Sequence, residues 1–323
     1  MIVMGIETSC DETAAAIVKD TDKIFSNVIL TQIPYHRRFG GVVPEIASRR
    51  HLEAINSVID EAVFKSGFEM SHIDRFAVTV GPGLVGSLIV GIVAARTLGK
   101  IYKKPVFGVN HILSHLAVNF LFDEISPPYL GLVASGGHCD LIHAKTHNDF
   151  EVLSKTRDDA PGETFDKIAK MLGLPYPGGA EIEKIAKRGN PDSVKFPVPK
   201  FKDGSDDFSF SGIKTFVKNR IGETPKDKIP DLLASFQKAV AKIFADRIMN
   251  AVKKTNCIRV ILAGGVISNN FIVSFLSEEC AKNSVQLFWP RPEFCTDNAA
   301  MTACRGFLQE SSLKLIPQPD LKI

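Results

Sequence analysis

MIVMGIETSCDETAAAIVKD, residues 1–20, decides how the rest of the chain is read. Two short apolar runs, MIVMGIETS and AAAIVKD, flank the acidic turn CDET. Runs this short and this rich in Ile, Val and Ala are the pattern of buried strands, so the chain opens strand, turn, strand. The order then restarts: residues 129–135 read as a strand, Gly136-Gly137 as a turn, and residues 139–145 as a second strand. Each hairpin opens an α/β half. After the first come a third strand expected at 23–30 and a helix at 44–66, with Ile46, Leu52, Ile55, Val58, Ile59 and Ala62 near helical spacing. A strand at 75–80, the glycine-rich turn GPGLVGS, a helix to about residue 102 and a strand at 106–109 follow. After the second hairpin come a helical middle at 162–173 and a strand at 259–262. AGGVISNN then forms a turn and helix start, with a strand near 286–289 and a helix from about 297. Two such halves predict a duplicated, two-lobed α/β architecture. Ligands of open α/β sheets bind at the carboxyl ends of strands, which here predicts a cleft between the lobes. Residues 189–212, with Pro191, Pro197, Pro199 and Gly204, read as a long irregular loop carrying DDFSFSGIKT, and such loops are often functional.

The composition bounds the class. The chain has 323 residues, 45% of them hydrophobic, enough for a sizeable core and two lobes. Apolar stretches are interrupted by glycine and polar residues, and the N-terminus lacks the order of a signal peptide, so a cytoplasmic protein with no membrane partner is expected. A net charge of +3 permits an RNA partner without demanding one. The basic pairs Arg37-Arg38, Arg49-Arg50, Lys103-Lys104 and Lys253-Lys254, each taken alone, read as solvated surface. The six cysteines include no C-x-x-C pair, which argues against a zinc ribbon and for reduced thiols.

Three groups of residues carry possible chemistry. His111 and His115 in NHILSHLAVNF stand at i and i+4, which on a helix puts both imidazoles on one face, at a separation suited to one metal ion. A hydrogen-bonded pair lining a polar groove fits the same spacing equally well. Ile112 follows His111 where H-E-x-x-H peptidases carry their general base, so that chemistry is disfavoured. Asp297 in CTDNAAM is a candidate third ligand, although an Asp before an apolar run is more often an N-cap. The glycine pairs of SGGH, YPGGAE and AGGVISNN let backbone N–H groups approach a phosphate or ribose. None is a P-loop or a dinucleotide fingerprint, but three of them point to a nucleotide. Finally, Glu7, Asp11 and Glu12 crowd the first hairpin tip, and Asp158, Asp159, Glu163 and Asp166 crowd DDAPGETFDK. Such carboxylates can bind ribose, hold a metal or act as a base, or simply decorate a turn and a helix start.

GIETSCDET, FGGVVPEIASRRHLE, GPGLVGSLIVG, NHILSH, SGGH, PGETFDK, LGLPYPGG, FSFSGIKT, SFQKAV, AGGVISNN and CTDNAAM follow one another in this order. Together they resemble the tRNA N6-adenosine threonylcarbamoyltransferase family, TsaD-type, over nearly the whole chain, and its bacterial branch in particular. The resemblance implies the actin-like, Hsp70-type ATPase (ASKHA) fold. Its boundaries would be an N-terminal lobe at 1–108 completed by a C-terminal helix at about 297–323, and a second lobe at 109–296 with a helical or irregular insert at about 150–235. It implies transfer of threonylcarbamoyl from threonylcarbamoyl-AMP to the exocyclic amine of adenosine 37 in tRNAs reading ANN codons. His111, His115 and Asp297 would hold one divalent metal, iron(II) or zinc. Val133, Ala134, Ser135, Gly136, Gly137, Asp166, Gly179, Glu183 and Asn269 would hold an ATP- or AMP-type nucleotide. Asp11 or Glu12 would take the amine proton. A TsaB-like paralogue and a TsaE-like ATPase would be partners. The chain departs from the family's usual residues at Glu183 (usually Asp), at Pro161 and Thr164 in PGETFDK, and at Cys139 in HCDL. A metallopeptidase acting on glycoproteins, a small-molecule kinase and a non-enzymatic ATPase-fold scaffold are the competing readings.

Overall fold

The computed structural model describes residues 1–199 and 201–323, and the chain divides into two compact units. The first comprises Met1–Ser126, His147–Asp149 and Thr296–Ile323; the second comprises Pro127–Thr146 and Phe150–Cys295.

The first unit begins with β1 (Ile2–Glu7), β2 (Glu12–Lys19) and β3 (Lys23–Thr31). A four-residue helix, α1 (Ile33–His36), and the long α2 (Pro44–Ser66) follow. Then come β4 (Arg75–Gly81), α3 (Val85–Tyr102), β5 (Val106–Asn110) and α4 (His111–Ala117). The sheet order is β3-β2-β1-β4-β5; the first three strands are antiparallel, and β4 and β5 run parallel to β1. α2 starts on Pro44, whose missing N–H costs nothing at a helix start, and stops at Gly67, which takes the left-handed conformation that glycine adopts freely. Its buried face, Ala54, Ile55, Val58, Ile59 and Ala62, meets Met4, Ile6, Ile17 and Val78 of the sheet in one hydrophobic cluster.

The second unit holds β6 (Tyr129–Ala134), β7 (Cys139–Ala144) and β8 (Phe150–Lys155). It continues with α5 (Pro161–Met171), α6 (Gly178–Ala186), α7 (Ser211–Ile221) and α8 (Ile229–Thr255). β9 (Arg259–Ala263), α9 (Asn270–Lys282) and β10 (Gln286–Phe288) complete it. Its sheet order is β8-β7-β6-β9-β10, again three antiparallel strands and two parallel ones. The two sheets therefore have one topology, as the restart in the sequence predicted. The last helix, α10 (Ala299–Leu308), belongs to the first unit and crosses β1 at Gly5, where a Cβ would lie 2.1 Å from the Ala299 carbonyl oxygen.

The short α1, α6, α7, β8 and α8 go beyond the sequence reading. β8 pairs with β7 although its pattern FEVLSK is mostly exposed, as suits an outer strand. α8 runs for 27 residues and buries Leu232, Leu233, Phe236, Val240 and Phe244 in the second core. Among the described residues 189–210 is irregular apart from turns and one bridge, as the prolines predicted, but the loop expected to run to 212 ends sooner because α7 starts at Ser211.

Candidate metal centre and nucleotide-binding turns

α4 begins at the functional residues themselves. Asn110, the last residue of β5, accepts the Ile112 and Leu113 amides on Oδ1 and so caps the helix. With the start fixed, His111 and His115 fall one turn apart, both buried, their rings edge to face with centroids 4.7 Å apart. Asp297 approaches from the residues before α10. The N-cap role open to Asp297 in the sequence is filled by its neighbour: Asn298 Oδ1 accepts the Met301 amide. Asp297 is thereby released from capping, and its Oδ1 lies 3.1 Å from His115 Nε2 and 3.6 Å from His111 Nε2. One atom from each of the three residues fits within a 4.8 Å span.

These separations suit a metal. Ligands bound at about 2.1 Å and a tetrahedral angle lie about 3.4 Å apart. His115 gives an independent test. It is 1% exposed, yet among the described residues neither ring nitrogen has a hydrogen-bond partner. Leaving a buried polar atom unsatisfied costs about 1–3 kcal/mol, which coordination would offset. The donor set, two imidazoles and a carboxylate, suits iron(II) or zinc.

His111 is held from behind. Its Nδ1 lies 3.1 Å from Ser9 Oγ and 3.5 Å from Glu7 Oε2, leaving Nε2 toward Asp297. This is the carboxylate–histidine arrangement that fixes a ligand's tautomer and ring orientation. Glu7 is fully buried, and Thr79, Thr302 and the Ser9 amide all donate to it. Burial opposes its charge, but His111 and Thr79 hold its carboxyl below the ordinary value. Burial likewise opposes the imidazolium of His111, yet Asp297 and Glu7 outweigh it and lift the pKa to about 9. A metal bound at this position would therefore displace a proton. Sequence reading counted Glu7 only as one of three acids at a hairpin tip, and Ser9 escaped notice. The signal was there in outline, since the residues sit two apart at the end of a buried strand that must point at something.

The two acids proposed as base sit beside this centre. Asp11 is buried, and Glu12 is partly buried and accepts Thr31 Oγ1 at 3.1 Å. Burial, then Asp11 and Asp297, raise the Glu12 carboxyl well above its ordinary range. A carboxyl raised in this way is a stronger base in its ionised form than a free one.

In the second unit the glycine turn 135–138 joins the start of α5. Ser135 and Gly136 carbonyls accept the Gly162 and Glu163 amides, and Ser135 Oγ accepts the His138 amide. Val133 and Ala134 are buried strand residues beneath it. A Cβ on Gly136, Gly137 or Gly179 would meet no protein atom within 4 Å, so space for a closely approaching ligand is open there. Asp166 on α5 accepts the Gly178 amide at 2.6 Å and thereby ties α5 to α6. Glu183, Gln237 and Asn270 line a pocket of about 390 Å³. Within it Glu183 Oε1 accepts the Asn270 backbone and side-chain N–H groups. Asn269 caps α9 through Oδ1 and donates to Gln237 Oε1 at 2.6 Å. Gln237 and Asn270 were not singled out in the sequence: Gln237 lies in α8, away from any glycine turn, and Asn270 closes the AGGVISNN turn beside Asn269.

Several suspected chemical groups prove structural. Asp158 accepts hydrogen bonds from Ser209, Phe210 and Ser211 and closes the start of α7. Asp159 is paired with Lys167 and Lys214. Pro161 occupies the first position of α5, and Thr164 donates to the Ala160 carbonyl, so both departures from the usual motif fit an ordinary helix start. Cys139 points into the second core.

Comparison with known structures gives the class first. The chain is similar to component A of (R)-2-hydroxyglutaryl-CoA dehydratase from Acidaminococcus fermentans, with TM-score 0.56 at 15% identity, over 95% of this chain and 98% of that one. It is also similar to the ROK hexokinase of Thermus thermophilus, with TM-score 0.50 at 14% identity, over 95% and 97%. The fold is the duplicated α/β fold of actin-like (ASKHA) proteins. Sequence narrows it. Residues 23–304 match the family model of tRNA N6-adenosine threonylcarbamoyltransferase, TsaD. The enzyme of that name from Clostridium perfringens is 44% identical over 332 residues, covering 100% of this chain and 98% of the relative. That from Caldicellulosiruptor bescii is 48% identical over 316 residues, covering 96% and 93%. The chain belongs to the tRNA N6-adenosine threonylcarbamoyltransferase family and is a transferase of tRNA modification.

Proposed function

We propose that this chain transfers the threonylcarbamoyl group from threonylcarbamoyl-AMP to N6 of adenosine 37 in tRNAs reading ANN codons, forming the N6–carbonyl bond as the anhydride C–O bond breaks and AMP leaves. The observation that carries the reading is the convergence of His111, His115 and Asp297 on one point, beside the acids Asp11 and Glu12. His111, His115 and Asp297 would hold one iron(II) or zinc ion, which when bound supplies Lewis-acid polarisation of the donor's carbonyl or phosphoryl oxygen. Glu7 and Ser9 hold His111 in the tautomer that leaves Nε2 free. Gly136, Gly137 and Gly179 leave room for the nucleotide's phosphate and ribose, and Glu183, which lines the pocket beside α9, and Asn269, which donates to Gln237 of that pocket, contact its nucleoside. Adenine's exocyclic amine is a weak nucleophile, so holding it in line with the carbamoyl carbon supplies much of the rate. Glu12, its carboxyl raised by burial, Asp11 and Asp297, takes the amine proton, with Asp11 as the neighbour that tunes it.

The partners are a TsaB-like paralogue and a TsaE-like ATPase, and the compartment is the cytoplasm. α3 supports a protein partner. It is long and apolar enough to cross a membrane, but Leu88, Gly91, Ile92, Ala95 and Gly99 pack into the first unit. Val85, Ile89 and Val93 form an exposed stripe at four-residue spacing, as a helix-packing surface requires. Six free cysteines, five of them buried, suit a reducing compartment.

Reconstitution tests the reading. Unmodified tRNA is incubated with the chain, its partners, threonine, bicarbonate, ATP and the donor-making synthase, and the nucleosides are read by mass spectrometry. Threonylcarbamoyladenosine at position 37 is expected. Its absence when authentic threonylcarbamoyl-AMP is supplied directly would overturn the assignment.

A further inference from the structure

The basic pairs Arg37-Arg38 and Arg49-Arg50 looked like separate solvated clusters in the sequence. The fold brings the two segments that carry them into contact. Arg50 lies over the Tyr35 ring at 3.9 Å, and Arg38 lies over the Phe39 ring at 4.7 Å. The segment 32–43 is pinned against α2: Gln32 donates to the Ala47 carbonyl, and the Val43 amide donates to His36 Nδ1. Tyr35 and Phe39 nevertheless stay 43% and 47% exposed, and Arg49 is exposed as well. Exposed rings with guanidinium planes laid on them are the platform on which unpaired bases stack.

The position of this surface matters as much as its composition. It leaves the reactive hairpin directly. Gln32, one residue before α1, donates its amide to the Asp11 carbonyl, and His51 Nε2 meets the Cys10 carbonyl at 3.0 Å. His51 Nδ1 in turn meets Thr13 Oγ1 at 2.8 Å. The hairpin tip itself is acidic, with Glu7, Asp11 and Glu12, and repels phosphate. An RNA loop that delivers an adenosine to this tip needs positive charge just outside it. Arg37, Arg38, Arg49 and Arg50 supply it, and Glu45 and Glu53 pair with Arg49 and Arg50.

Resting on the transferase reading above, we propose that Tyr35, Phe39 and the four arginines form the docking surface for the single-stranded loop of the substrate RNA. The two rings stack the bases that flank the target adenosine, and the arginines contact the adjoining phosphates.

The test is binding of a fluorescein-labelled anticodon stem-loop to the full-length chain, by anisotropy across a series of KCl concentrations. Loss of both rings in Tyr35→Ala/Phe39→Ala is expected to weaken binding about tenfold or more, with the salt slope unchanged. Arg37→Ala/Arg38→Ala is expected to flatten the slope of log K against log salt by about 0.7 per lost phosphate contact. Metal content should stay at the wild-type level in both. Wild-type affinity and slope in both variants would overturn the proposal. So would a variant that keeps RNA affinity but loses a protein subunit, which would make the patch a protein contact. Cross-linking of the unaltered chain to a 4-thiouridine-labelled loop does not depend on the variants folding. Adducts within residues 35–39 support the proposal, and adducts confined to other segments overturn it. The two readings fail separately. RNA bound through this patch without transfer to adenosine sinks only the transferase assignment, whereas transfer that is indifferent to the patch sinks only the docking surface.

Discussion

The chain builds the same β-hairpin twice and finishes it in opposite ways. In the first unit the tip between β1 and β2 is closed. Thr8 and Ser9 are 1% exposed, Glu7 is fully buried, and every one of them is engaged with a neighbour. In the second unit the tip between β6 and β7 is Gly136-Gly137, exposed, with empty space where side chains would stand. Both are undercut by a glycine after the neighbouring parallel strand. A Cβ on Gly83 would lie 2.6 Å from the Ser9 carbonyl oxygen, and one on Gly264 would lie 2.4 Å from that of Ala134. The backbone frame is therefore common, and the tip residues alone decide what each copy can do. Side chains fixed by a dense buried network can present a ligand or a base. Bare backbone N–H groups can wrap a phosphate.

The sharpest break in the comparison is His115→Ala. It removes a side chain from the closed site, where Nε2 faces Asp297 and neither buried ring nitrogen forms a hydrogen bond among the described residues. Metal content measured on the purified protein should fall to background. Transfer should drop at least about a thousandfold, the effect of losing several kcal/mol of electrostatic stabilisation. Near-wild-type transfer by a metal-free His115→Ala protein with an intact circular dichroism spectrum would remove the metal from the reaction.

The topology was legible because it is written in short-range signals. Buried strands show as runs of Ile, Val and Ala, and their repetition after residue 129 exposed the duplication. The histidine pair was legible because i, i+4 spacing is itself a structural statement. Its third member was not. Asp297 and Asn298 are adjacent and both are good caps, so spacing left the choice open and the family resemblance alone decided for Asp297 as the ligand; in the fold Asn298 takes the cap and Asp297 faces the histidines. Glu7 was visible as an acid but not as the support of His111, because β1 and α4 meet only in the folded unit. Asp158 was misleading in the opposite sense. An acidic cluster beside a glycine turn looks like chemistry, and here it ties a loop.

The glycines give the next test, by placing one methyl group in each copy. Gly83→Ala must push Ser9 aside and should cost about 1–3 kcal/mol of stability, read by thermal or urea melts. Metal retention should fall with it, since Ser9 Oγ supports His111. Gly137→Ala meets no protein atom and should leave stability within about 0.5 kcal/mol. Its effect should fall on KM for the nucleotide donor, which should rise while metal content stays unchanged. An unchanged KM would mean that the open space at the second tip does not receive the donor's phosphate.

The smallest effect is expected at Asp158, which has no counterpart in the first unit. Burial opposes its charge, but Ser209, Ser211 and the Phe210 and Ser211 amides hold its carboxyl below the usual range. Its value is therefore lower folded than unfolded. The stabilisation it gives is complete above about pH 4, the unfolded carboxylate value, and is lost as pH falls through the folded one. Because Asp158 is largely exposed, solvent screening keeps the electrostatic share small. Asp158→Asn should cost about 1 kcal/mol at neutral pH, as for other lost caps. Urea melts compared across pH should show wild type and variant converging below pH 4. A difference that persists undiminished at low pH would assign the effect to the shape of the loop and not to the carboxylate's charge.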